Sequence, residues 1–138
     1  MTEPTLSHHG ALVYVMVLVS AADRDMTDRE LRAIGDIVSR LPIFRDYDED
    51  RLPRDAAACA EVLAAEDGLD TALAMVREAL PEKLRETGYA LACDVAAADG
   101  RIGQEESRIL EIIRHALEVE RLPAAAIERG ARARHLVL

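Results

Sequence analysis

The sequence predicts an all-α protein: a single compact bundle of about seven helices that contains two repeat-related αα-hairpins. Three observations carry that expectation. Only Tyr14, Phe44, Tyr47 and Tyr89 are aromatic, while alanine is abundant, a composition that suits closely packed helices better than a sheet sandwich. Apolar residues recur at helical spacing in segment after segment. A 23-residue pattern also returns after an offset of 76 residues. At 138 residues the chain is long enough for one hydrophobic core. Residues 1–10 read as an N-terminal tail and 11–138 as one helical domain.

The first element is the run "ALVYVMVLVSAA", Ala11–Ala22. It is apolar on every side and rich in β-branched residues, so periodicity alone leaves strand and helix open. The repeat decides. Val19–Leu41 laid over Val95–Leu117 matches at Val19/Val95, Ala21/Ala97, Ala22/Ala98, Asp23/Asp99, Glu30/Glu106, Arg32/Arg108, Ile37/Ile113 and Leu41/Leu117. The second copy is entered through "LRETGYALACDVAAAD", made largely of good helix formers. The first copy is therefore expected to enter on a buried helix too.

The remaining elements follow from caps and breakers. Thr27 with Glu30 forms a capping box that opens the second helix. Its inward face is expected to carry Leu31, Ile34, Ile37, Val38 and Leu41, and it stops before Pro42. "PIFRDYDEDRLP" reads as the one loop, and a third helix runs from about Glu49 to Ala65. Asp67-Gly68 punctuates, and a fourth helix runs to about Leu80. Pro81 suits the first turn of a fifth, which ends near Ala98. A sixth spans about Gln104–Glu120 with Ile109, Leu110, Ile112, Ile113, Ala116 and Leu117 inward, and Pro123 opens a seventh. The predicted core includes Leu18, Ile34, Ile37, Leu91, Val95, Leu110 and Ile113.

A net charge of −9 disfavours nucleic acid and anionic membranes as partners and suits cations or basic protein surfaces. The apolar run is shorter than the roughly 20 residues a membrane-spanning helix needs. Glu3 precedes it and no Lys or Arg does, so no signal peptide is expected, and a cytoplasmic location is. Cys59 and Cys93 sit in Ala-rich helical sequence and read as buried thiols rather than a disulfide. The chain holds no Gly-rich phosphate loop, no C-x-x-C, no H-E-x-x-H and no recognisable nucleophile motif, so no enzyme is expected.

Four stretches, "DVAAADGRIGQEESRILEII", "RLPIFRDYDEDRL", "EDGLDTALAMVREALPEKLRE" and the tail "AIERGARARHL", resemble the tellurite-resistance TerB family. The resemblance covers Ala11 to about Leu136. It implies a small bacterial all-helical fold of about seven helices, a link to stress response including tellurite resistance, and acidic residues at helix corners considered as metal ligands. The first copy departs from the pattern, because Arg24 stands where the second has Gly100.

"AAADGRIGQEES" bears on the metal directly. With Gly100 at position 6 of an EF-hand loop, Glu106 falls at 12, but Val95 and Ala97 occupy ligand positions 1 and 3, so an EF-hand is excluded. The corner acids have a structural role available: Glu106 and Glu30 cap helix starts. Asp23 and Asp99, however, stand at helix C-terminal ends, where the macrodipole disfavours negative charge by about 0.3–1 kcal/mol. Asp94 lies on the edge of an apolar face, where an unpaired carboxylate is costly. The expected cation ligands are therefore Asp99, Glu106, Asp94, Asp23 and Glu30. Such oxygen donors favour Mg²⁺ or Ca²⁺ over Zn²⁺. The second copy is the better expected site, since Gly100 admits close backbone approach and Arg24 is a competing charge.

Asp46, Asp48, Glu49 and Asp50 read as loop solvation with an N-cap. His8 and His9 read as part of a mobile terminus, and His115 as a surface residue. Beyond position 120, Arg121, Arg129, Arg132, Arg134 and His135 face only Glu128. Arg129, Arg132 and Arg134 are the expected partner-binding residues for an acidic protein. Two functions from different classes follow: a cation-binding stress protein, or a helical interaction module with no bound metal.

Overall fold

The run at Ala11–Ala22 is a helix, and it forms the centre of the fold. The computed structural model describes residues 6–22, 28–98 and 102–138. Among them are seven α-helices and no strand: α1 (His8–Ala21), α2 (Asp28–Arg40), α3 (Leu52–Ala64), α4 (Gly68–Ala79), α5 (Arg85–Ala97), α6 (Gln104–Ala116) and α7 (Arg121–Arg134). Short 3-10 turns lie at Pro42–Phe44, Glu49–Arg51 and Glu82–Leu84. Every residue of α1 from His9 to Ser20 is buried, because α2, α3, α4, α5 and α6 all pack on it. Each Leu, Ile or Val so enclosed contributes about 1.5–3 kcal/mol. α7 packs chiefly on the outer side of α5.

The helix starts sooner than the apolar run. Ser7 accepts a hydrogen bond from the Gly10 amide at 2.9 Å and caps α1. His9 is therefore not in a mobile tail, as its position near the terminus suggests. Its ring is buried and stacks on Phe44, with centroids 5.7 Å apart. Its Nε2 donates to the Ile43 carbonyl at 2.8 Å and lies 3.3 Å from Asp46 Oδ1. The stretch expected as the one loop is thus tied to the start of α1. Tyr47 ties it to α3 as well, donating to Asp55 Oδ2 at 2.6 Å. Asp48 accepts from the Asp50 amide and caps a 3-10 turn, so α3 begins at Leu52 rather than Glu49.

α1 and α5 end at Ala21 and Ala97, and α2 and α6 begin at Asp28 and Gln104, boundaries that keep the 76-residue offset. Thr27, the expected cap of α2, lies outside the described residues. Of the predicted core, Leu18, Ile34, Leu91, Val95, Leu110 and Ile113 are buried, whereas Ile37 is only half-buried. On α2 the row Glu30, Ile34, Val38 faces inward, and Leu31, expected inside, is 40% exposed. A single i, i+4 row suffices because α2 touches its neighbours along one edge.

α6 stops at Ala116 rather than Glu120, because the chain reverses there. The amides of Glu118 and Val119 return to the carbonyls of His115 and Arg114, both at 3.1 Å, which is a Schellman arrangement. Glu118 takes the left-handed conformation, φ 56°, where glycine is usual. Its carboxylate meets Arg77 at 2.8 Å and Arg85 at 3.7 Å, contacts that a glycine would not make.

Cys59 and Cys93 are free and buried, and burial pushes both thiols up to about 12. Only the thiolate reacts. At pH 8 a thiol-specific reagent is expected to modify neither cysteine faster than the protein unfolds, and both once denaturant is added. Prompt labelling of the native protein would contradict this burial.

Candidate functional site

Residues some 40 positions apart in the sequence meet beside α2. Asp94 lies in the penultimate turn of α5, and Arg134 and His135 lie at the end of α7. Asp94 Oδ1 accepts from Arg134 Nη2 at 2.7 Å and lies 3.4 Å from His135 Nε2. The carboxylate expected to hold a cation and an arginine expected to hold a partner therefore hold each other. The Asp94 side chain is 19% exposed and that of Arg134 is 56% exposed. With its guanidinium more than half in water, the pair is screened and worth about 1 kcal/mol or less.

This ion pair borders a groove of about 600 Å³ between α2 and the junction of α5 with α7. Arg29, Arg32 and Arg40 line its α2 wall, together with Asp36. Spacings of three and eight residues place the three arginines on one side of a helix. Ala33, Ile37 and Leu41 supply the apolar lining, and Ile37 and Leu41 are half-buried there. All three α2 arginines are exposed, and none takes part in an ion pair among the described residues. In a chain of net charge −9, three such cations on one face are a local concentration of positive charge.

Of the other expected ligands, Glu106 and Glu30 lie in the first turns of two different helices. Glu106 accepts from the Gly103 amide at 3.1 Å and caps α6. Glu30 is buried in the first turn of α2. Asp23 and Asp99 lie outside the described residues. Among the described residues no three His, Cys, Asp or Glu side chains converge as a metal site would require.

The expected basic patch on α7 divides as well. Arg134 turns toward Asp94. Arg132, two residues earlier and so well around the helix, lines a separate groove with Arg114 and Arg121. Arg129 is exposed. On the same helix Glu128 accepts from the Tyr89 hydroxyl at 2.6 Å, and burial together with that bond raises the Tyr89 pKa. His115 is exposed, as expected.

Sequence reasoning passed over Arg29, Arg32 and Arg40. The signal is present in "DRELRAIGDIVSR", as arginines at one-face spacing beside apolar positions. No helix of the described residues is long and apolar enough to cross a membrane. No curated protein and no solved structure gives a significant match to the chain. The family model described as "Tellurite resistance protein TerB" matches residues 9–129, most of the chain, and the protein therefore belongs to the TerB family.

Proposed function

We propose that this TerB-family domain is a non-catalytic helical interaction module that docks a protein partner in the groove beside α2. One observation carries the reading: Arg29, Arg32 and Arg40, with no ion-pair partner among the described residues, stand over a half-covered apolar strip in a strongly acidic chain. Arginine joined to partly buried aliphatic surface is the chemistry of protein interfaces. The family's description names tellurite resistance. On this reading the domain serves that stress response by holding another protein, and the groove need not touch the oxyanion.

A photoreactive amino acid at Asp36, inside the groove, tests the proposal in cells. It is expected to give a discrete protein adduct that is lost when Arg29 and Arg32 are changed to Glu. The same group at the exposed Glu61 of α3 should give none. Equal adducts from both positions would overturn the reading. Native mass spectrometry with elemental analysis supplies the other arm: a stoichiometric divalent ion in the protein as isolated would return the function to the corner carboxylates.

A further inference from the structure

We infer that the occupant of this groove is an acidic amphipathic helix, and that Asp94 holds the place of one of its carboxylates until it binds. The inference rests on the docking role proposed above and adds the chemistry of the partner. Arg29, Arg32 and Arg40 extend over most of α2, a helix of 13 residues, so an occupant lying along them needs about three turns. Ala33, Ile37 and Leu41 ask for an apolar stripe on one side of that helix. The arginines ask for Asp or Glu on its flanks, since guanidinium pairs best with carboxylate.

The far wall shows how such a carboxylate is received. Arg134 and His135 both converge on Asp94 Oδ1, at 2.7 and 3.4 Å. A partner's carboxylate reaching these two donors makes the same contacts, and the Arg134 side chain, 56% exposed, is open to it. Asp94 is then an internal competitor. Among the described residues it and Asp36 are the acidic groups lining the groove, against four arginines and His135. A nucleic-acid strand fits less well, because it offers no apolar stripe to Ala33, Ile37 and Leu41.

The test uses the full chain and three labelled probes followed by fluorescence anisotropy at low salt. These are a Leu-striped, Glu-flanked helical peptide of 13 residues, matching α2, the same composition scrambled, and a single-stranded oligonucleotide. The striped acidic peptide is expected to bind best. Arg29→Gln/Arg32→Gln/Arg40→Gln should abolish its binding. Asp94→Asn keeps the side chain's size but removes the competing charge, and should tighten binding about threefold or more. That gain should shrink as salt rises toward about 0.5 M. Circular dichroism checks that each variant is folded, which the exposure of the arginines favours. Unchanged or weaker binding by Asp94→Asn would overturn the competitor role. Equal binding by the scrambled peptide or the oligonucleotide would overturn the helical occupant. So would failure of the striped peptide to bind, while a groove-specific crosslink in cells would leave the docking role itself intact.

Discussion

Ile113→Ala should lose about 2–5 kcal/mol of stability in a denaturant melt, whereas Ile37→Ala should lose no more than about 1.5 kcal/mol. The two residues are identical and occupy matching positions in the repeat, so sequence alone assigns them equal weight. The structure does not. Ile113 has no exposed surface and Leu117, one turn on, is 1% exposed, because α6 is enclosed by α1, α4 and α5. Ile37 and Leu41 are half-buried at the edge of the groove. Truncating Ile113 leaves a void that the packed core cannot close, while truncating Ile37 mostly exchanges one partly wetted surface for another. Leu110→Ala should follow Ile113 in direction. Equal losses at 37 and 113 would mean that the α2 strip is already covered and would leave a partner no apolar floor.

Two Gly→Ala substitutions should move stability in opposite directions. Gly68→Ala should cost at least about 3 kcal/mol, the upper part of the range for overpacking. A Cβ at residue 68 would stand 2.5 Å from the Leu63 carbonyl oxygen, 2.6 Å from Leu63 Cα and 2.6 Å from the Val62 carbonyl oxygen. These are backbone atoms at the end of α3, so relief requires α3 and α4 to separate. Both helices pack on α1, and the strain would reach the core. Gly35→Ala meets nothing within 4 Å inside α2 and should stabilise by roughly 0.5–1 kcal/mol through helix propensity. A Gly68→Ala protein that melts like the wild type would show that the α3–α4 corner can open without cost.

The sequence by itself determined the fold class and most helix boundaries, since both depend on local physics. Alanine-rich apolar periodicity selects helices, and Pro42 and Asp67-Gly68 mark their ends. The repeat extended this by carrying the helical character of "LRETGYALACDVAAAD" back to Ala11–Ala22, a run that periodicity could not assign. Local errors arose where a cap or turn carried a weak signal: Ser7 before two histidines, or Glu118 in a left-handed position where glycine is expected.

What surrounds each side chain was decided only by tertiary structure. Asp94 looked unpaired in the sequence because its partners, Arg134 and His135, come from some 40 residues further along the chain. His9 looked free for the same reason, its partners Ile43 and Asp46 lying in a distant loop. The basic patch read from the tail divides because residues 132 and 134 point to different sides of one helix. The groove itself needs α2, α5 and α7 together, and no local pattern encodes where three helices leave a gap. Helix formation is a property of neighbours in sequence, whereas a site is a property of neighbours in space.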